Sequence, residues 1–313
     1  MTRILTVFAV PGLGAEDVVV GREGPDEGAV FTGTADGSIF RLSHDGSQVD
    51  RIAQTQGRPL GLEIDLEGRL LVCDAHRGLL RVDTRSGAIE AVVADVDGRA
   101  MKFCNNAAIA SDGTVWFSDS STMFGVEDWK SDLVQNTRTG RLLRLDPDGC
   151  VTVVIDGLAF ANGVALSHRE DFVAVAETGA RTVVRHWLAG PKAGTRDLLC
   201  DELPGYPDNI ARGSDDLIWV TIASPTDALV DWLQTGPKVL RRLATRLPEK
   251  FQPAPKHTIR VQAYDDDGRL IHDIDVDPAA QAMPYHMVTG VREHDGRVWM
   301  GSLQESAVAV VAL

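Results

Sequence analysis

Four short stretches of this sequence set acids or amides at the head of an apolar run. They are GAEDVVV, with Glu16 and Asp17; FCNNAAIA, with Asn105 and Asn106; FANGVALS, with Asn162; and YPDNIA, with Asp208 and Asn209. Carboxylate and amide oxygens are the donors that a hard cation takes, and calcium accepts roughly six to eight of them in irregular geometry. No His or Cys stands at these positions, which disfavours a zinc-type site. Each residue alone is also what a turn uses, and Asn162-Gly163 is a common turn pair. Metal chemistry therefore requires an architecture that brings the four stretches together.

That architecture is legible as a repeat. A turn with Asp or Gly, followed by an alternating strand, recurs as DGSIFRL from Asp36, EGRLLVCDA from Glu67, DGTVWFSDSS from Asp112, REDFVAVAET from Arg169, DDLIWVTIAS from Asp215 and DGRVWMGSL from Asp295. Each copy is flanked by further β-rich runs, such as NGVALS before the fourth and GLLRVD after the second. Recurrent strands without intervening helices predict an all-β fold, a six-bladed β-propeller, in preference to a pair of β-sandwiches. The run SAVAVVAL is placed to pair with ILTVFAV and close the ring, hiding two strand edges. Innermost strands of a propeller line its central channel, so residues at one level of successive blades converge on the axis. The chain reads as one domain over residues 1–313.

One segment breaks the pattern. Residues 225–255, PTDALVDWLQTGPKVLRRLATRLPEKFQPAP, place Leu229, Trp232 and Leu233, then Val239, Leu240, Leu243 and Leu247, at helical spacing. Pro237 and Pro248 bracket the second piece. The expectation is a helical insertion between blades five and six. It reads as a hairpin packed on the propeller, as a lid over the channel, or as a membrane-surface helix whose polar face carries Lys238, Arg241, Arg242 and Arg246.

Composition narrows the partners. A formal net charge of -14 opposes nucleic acid, whose phosphates require a basic face. The four cysteines, Cys73, Cys104, Cys150 and Cys200, form no CxxC pair and make a poor disulfide or zinc framework. The first residues lack the long apolar region of a leader peptide, and no stretch approaches the ~18 apolar residues of a membrane helix. A cytoplasmic setting with free thiols is expected. Trp116, Trp219 and Trp299 lie in the repeated strand and are expected in the core. His76, His168 and His294 sit in turn-like surroundings and are expected to face solvent.

The stretches GRPLGLEIDLEGRLLVCDAHRGLLRVD, FCNNAAIASDGTVWFSDSS, TGRLLRLDPDG, FANGVALS, RHWLAGPKAGT, LPGYPDNI and EHDGRVWMGSL occur in that order. Through them the chain resembles strictosidine synthase-like proteins, within the superfamily of gluconolactonase (senescence marker protein), diisopropylfluorophosphatase and paraoxonase. The resemblance runs from about Glu16 to the last residues. It implies a six-bladed propeller with a divalent cation in its channel, usually calcium, and hydrolysis of lactones, esters or phosphoesters. It places the metal ligands on Glu16, Asn105, Asn162 and Asp208, with Asn209 supplying the Asn that follows the Asp in paraoxonases. Two positions depart from relatives. Thr289 stands where condensing strictosidine synthases carry a Glu, and Leu60 stands where paraoxonases carry a His.

The expectation is thus a divalent-metal-dependent hydrolase, a lactonase or esterase of the gluconolactonase type acting on a small lactone or ester. Calcium is the first choice of cation, with magnesium, manganese or zinc as alternatives. Asp208 is the candidate general base or nucleophile, since a carboxylate beside the cation is held close to the water or the electrophile. Asn106 and His286 are candidate substrate contacts, and Asp17 and Asn106 could bind a structural ion deeper in the channel. The competing readings are a metal-stabilised binding propeller without catalysis and a strictosidine synthase-like condensing enzyme.

Overall fold

The computed structural model describes residues 3–248, 252 and 254–313. Its strands form six four-stranded antiparallel sheets and one small hairpin of Asp95–Val96 with Arg99–Ala100. The innermost strands are Val18–Val20, Pro59–Ile64, Cys104–Ile109, Ala161–Leu166, Gly205–Arg212 and Val288–His294. Each touches the innermost strand of the next blade, and the last touches the first, so the sheets close into a six-bladed ring. Asp-Gly turns make many of the strand reversals. In one, the Asp112 carboxylate accepts the Thr114 N–H at 2.8 Å, and Gly113 takes the positive φ of 88° that the turn requires.

Burial follows depth in the blade. Ala161–Leu166 and Phe172–Glu177, the two inner strands of blade four, are buried throughout, whereas the outermost strand Arg196–Cys200 is mostly open to solvent. Inner strands are covered on both faces and need continuous apolar sequence; outer strands need only half. The apolar side chains gather between blades. Leu143 and Leu71 meet between blades two and three, Trp116 and Val173 between three and four, and Val220 and Ala174 between four and five. Trp219, Trp299 and Trp116 are all core residues, as expected.

The last sheet is made from both ends of the sequence. Thr6–Ala9 pairs antiparallel with Ala307–Ala312, in the register Thr6↔Val310 to Ala9↔Ala307. This is the closure the terminal runs predicted.

Helices are few and lie together. The first, α1, is Trp129–Gln135, in the connection between the second and third strands of blade three; α2 is Ala228–Thr235 and α3 is Lys238–Ala244. The insertion falls inside blade five, not after it: Ile218–Pro225 precedes it and Ile259–Tyr264 follows it in the same sheet. The reason is that VQAYDDDGRLIHDIDV supplies the third and fourth strands of that blade. Residues 249–251 and 253 of the insertion lie outside the described residues. Helix α1 was not anticipated. It binds the others through Gln234 Nε2, which donates to the Leu133 carbonyl at 2.8 Å, and Arg241 Nη1, which donates to the Gln135 carbonyl at 3.0 Å. Helix α2 is capped by Asp227, whose carboxylate accepts the Leu229 and Val230 N–H groups.

Candidate metal centre and the cavity above it

At one level of the channel, the pairing of the innermost strands shifts register. The shift spans Pro59 to Leu62, Cys104 to Ala107, Ala161 to Val164, Pro207 to Ile210 and Val288 to Val291. Each leaves two residues out of the ladder and re-aims their side chains. The pairs are Leu60-Gly61, Asn105-Asn106, Asn162-Gly163, Asp208-Asn209 and Thr289-Gly290, and Glu16-Asp17 stands just ahead of the first blade's inner strand. Equivalence of position, inferred above from the repeat, thus has a backbone cause.

The second members alternate around the ring: Asp17, Gly61, Asn106, Gly163, Asn209, Gly290. Each glycine meets a neighbouring polar partner edge-on. A Cβ on Gly61 would lie 2.6 Å from the Asn105 carbonyl and the Asn106 Cα, and one on Gly290 would lie 2.5 Å from the Asp17 Cα. A Cβ on Gly163 would overlap the backbone of Asn209 and Ile210. The ring closes at this level because every large polar residue is flanked by a blade with no side chain there.

Four of the first members face one place. Glu16, Asn105, Asn162 and Asp208 floor a cavity at the mouth of the channel. The amide nitrogens are tied back. Asn105 Nδ2 donates to Ser120 Oγ at 2.9 Å, Asn162 Nδ2 to Thr178 Oγ1 at 3.1 Å, and Asn209 Nδ2 to Glu16 Oε1 at 3.1 Å. The first two bonds turn the Asn105 and Asn162 oxygens away from Ser120 and Thr178, and the third joins Asn209 to the floor carboxylate of Glu16. Glu16 Oε2, Asn105 Oδ1, Asn162 Oδ1 and Asn209 Oδ1 are buried and accept no hydrogen bond. A buried, unsatisfied oxygen costs about 1–3 kcal/mol, so four together are an unstable arrangement unless something positive sits among them.

Electrostatics point the same way. Burial, then the neighbouring Asp208 and Asp17 carboxylates, push the Glu16 carboxyl well above the usual range, against the pull of Arg58 and the Asn209 amide. Burial likewise pushes Asp208 up to about 7, opposed by the Asn162 amide, with Asp17 adding to the rise. Asp17 is also raised to about 7, chiefly by burial, with Arg292 and the Leu62 N–H opposing. Like charges in a dry site disfavour one another's ionisation, and a cation among the oxygens removes that conflict. Among the described residues no three His, Cys, Asp or Glu cluster as a metal site. The donors here are two carboxylates and three amides, all oxygen, which is the hard set that suits calcium.

Above this floor the cavity is apolar. Its walls include Leu60, Phe103, Phe160, Tyr206 and Met287 from the blades, Trp129 and Leu133 from α1, and Val230 from α2. The Phe103 and Phe160 rings meet edge to face, 5.3 Å apart. Gln252, Ala254 and Pro255 of the insertion complete the cover.

Two expected substrate contacts are placed elsewhere. Asn106 lies below the floor with both ends of its amide engaged: Oδ1 accepts the Val164 N–H at 2.9 Å and Nδ2 faces Asp17 Oδ2 at 3.4 Å. Asp17 accepts the Leu62 N–H at 2.9 Å, so these two link blades one to four and leave no oxygen turned to a substrate. His286 stands outside the cavity, stacked on His257 with ring centroids 3.8 Å apart, its Nδ1 2.5 Å from Glu305 and its Nε2 2.9 Å from Gln304. Its neighbour Met287 takes the place in the wall. His76 and His168 are exposed, but His294 is largely covered. Ser120 and Thr178, which orient the amides, escaped sequence reasoning. Their signal was the register that sets SDSS beside FCNN and AET beside FAN.

Residues 105–191 match the family profile of strictosidine synthase. Adipocyte plasma membrane-associated protein of Rattus norvegicus is 31% identical over 310 residues, covering 91% of this chain and 80% of the relative. Strictosidine synthase-like 10 of Arabidopsis thaliana is 34% identical over 257 residues, covering 79% and 67%. The chain belongs to the strictosidine synthase-like family. Among solved structures, a gluconolactonase from Xanthomonas campestris superposes with a TM-score of 0.70 at 17% identity, covering 99% of this chain and 89% of that one. Regucalcin from Agrobacterium tumefaciens, a calcium-binding protein, superposes with a TM-score of 0.66 at 13% identity, covering 99% and 94%. At such identities the likeness is one of fold. In this strictosidine synthase-like chain, Thr289 is fully buried and its hydroxyl donates to the Glu16 carbonyl at 2.8 Å. It serves the wall of the channel, not the cavity. Leu60 does face the cavity, as an apolar group.

Proposed function

We propose that this chain is a divalent-metal-dependent hydrolase that opens lactone or ester bonds, with calcium as its cation. The observation that carries the reading is the set of buried, unpartnered oxygens on Glu16, Asn105 and Asn162, which line one cavity with Asp208, together with that of Asn209, whose amide is bonded to Glu16. Those five residues would hold the ion. When bound, it supplies Lewis-acid polarisation of a substrate carbonyl and stabilises the oxyanion that develops there.

The chain's own residues do the rest. Asp208 is the one carboxylate of the floor that is only partly buried, so it can meet a water above it. It accepts a proton as that water adds to the acyl carbon. When the tetrahedral centre collapses, the acyl–oxygen bond breaks and the proton passes to the departing alkoxide, giving a hydroxy acid from a lactone. Phe103, Phe160, Trp129 and Leu133 exclude bulk water and hold the apolar part of the substrate. Such walls offer hydroxyls few partners, chiefly Tyr206, Ser224 and Gln252, so aliphatic lactones and aryl esters suit the cavity better than sugar lactones. A condensing reaction would lack its acid, because Thr289 is turned into the wall.

The test is hydrolysis of aliphatic lactones, sugar lactones and aryl esters, first with metal stripped and then with calcium, magnesium, manganese or zinc restored. The expected result is turnover of an aliphatic lactone or aryl ester that disappears on stripping and returns with calcium. Protein that binds calcium calorimetrically yet turns over none of the panel would refute the hydrolase and leave a metal-stabilised binding propeller.

A further inference from the structure

Helix α3 is amphipathic in the inverted sense. Its polar side holds it to the protein. Arg241 donates from Nη1 to the Gln135 carbonyl and from Nε to the Gly236 carbonyl, both at 3.0 Å, and Thr245 Oγ1 accepts from Gln135 Nε2 at 3.0 Å. Its apolar side looks outward: Val239 is 67% exposed, and Leu240, Leu243 and Leu247 are exposed beside it. No residue of α3 is buried. Helix α2 extends the surface with Leu229 and with Trp232, which is 58% exposed, although Val230 and Leu233 on its other side are buried. Large apolar groups gathered this way on a water-soluble face mark an interaction site.

The charges around the patch select its partner. Lys238, Arg242 and Arg246 are exposed among the apolar residues, and α3 has no acid in its first turn. The nearby acids of α2 are engaged: Asp227 caps the helix and pairs with Lys256 at 3.8 Å, and Asp231 pairs with Arg181 at 3.1 Å. This basic, apolar patch belongs to a chain of net charge -14. A second copy meeting it about a two-fold axis would set like cations against one another. An anionic lipid surface satisfies both components at once: apolar side chains enter the acyl boundary while the three cations meet headgroup phosphates.

We propose that α2 and α3 dock this protein peripherally on an anionic lipid surface. None of the described helices is long and apolar enough to cross a membrane, and a docking through the exposed faces of α2 and α3 lies in the interface. Since α2 also contributes Val230 to the cavity wall, docking sets the covered mouth of the channel against the lipid.

Co-sedimentation of the full chain with vesicles tests this. Vesicles of phosphatidylcholine containing phosphatidylglycerol should carry the protein down, with binding that weakens as salt rises, and phosphatidylcholine alone should do so poorly. L240E/L243E and, separately, K238E/R242E/R246E should each lower the partition coefficient by about a hundredfold, with unchanged circular dichroism because all five positions are exposed. Binding untouched by both variants overturns the proposal. So does absence of binding, whether light scattering then shows a monomer or a dimer that L240E/L243E dissolves; the dimer would assign the patch to a second copy.

Discussion

The ring of residues at the channel floor and the helices that cover it are built on opposite principles. On the floor, every amide nitrogen is anchored, every second residue is a glycine forced by close approach, and hydroxyls such as Thr221 Oγ1, donating to the Asn209 and Thr289 carbonyls at 3.0 Å, stitch blade to blade. In the cover, three short helices meet through a few hydrogen bonds and turn leucines outward. A site that must hold donors in fixed places needs the first kind of structure. A surface that selects what reaches it tolerates the second. On the proposed reading, chemistry and access fall to different parts of the chain.

Substitutions can break that division, and the largest effect is expected on the floor. Asp208→Ala should lower kcat/KM by about a thousandfold or more, with circular dichroism and melting behaviour close to the parent. Near-normal turnover of this variant would remove Asp208 from the mechanism. Glu16→Gln should weaken calcium binding by about a hundredfold in calorimetry, because it replaces a charged donor with an amide at the same position. Third comes stability. Gly163→Ala sets a methyl against the backbone of Asn209 and Ile210, and should cost about 3 kcal/mol in urea denaturation. A cost below about 0.5 kcal/mol would mean that the inner strands part easily. In the cover, Leu133→Ala should raise KM about tenfold with little change in kcat, since it removes an apolar contact remote from the reacting atoms. The smallest effect is expected at Trp232→Ala, where an exposed side chain should change stability by no more than about 0.5 kcal/mol.

The same division governs what could be read from sequence. The floor was legible because it is written in a repeat: Asn105, Asn162 and Asp208 each occupy one place in one kind of strand, and the strand recurs. Glu16 followed by extension of that pattern. Asn106 was read as a substrate contact, but its amide is engaged by the Val164 N–H and by Asp17, and nothing in the letters NN says which of the two faces the cavity. The alternation of Gly61, Gly163 and Gly290 with Asp17, Asn106 and Asn209 was in plain view, yet it has meaning only once adjacent blades are seen to touch. The cover was harder. Helix α1 shows one apolar spacing, Trp129 to Leu133, over a single short run, which is too little periodicity to separate it from a loop. The insertion was assigned to the wrong side of a blade because Ile259–Tyr264 and Leu270–Val276, joined by a DDDG turn, resemble the start of a new unit as much as the end of an old one.

The clasp between Thr6–Ala9 and Ala307–Ala312 has a mechanical consequence. Because the two strands run antiparallel, Thr6 lies opposite Val310, and a load applied through the two ends of the chain reaches one rung at a time. The rungs yield in sequence, as in a zipper, and do not share the force as strands in shear do. A molecule pulled this way should open its ring at low force while five of its blades remain folded. Reclosing it joins segments nearly the whole chain apart, but the five folded blades already hold them near one another, so the clasp re-forms without the loop-closure cost that a flexible chain of this length would carry.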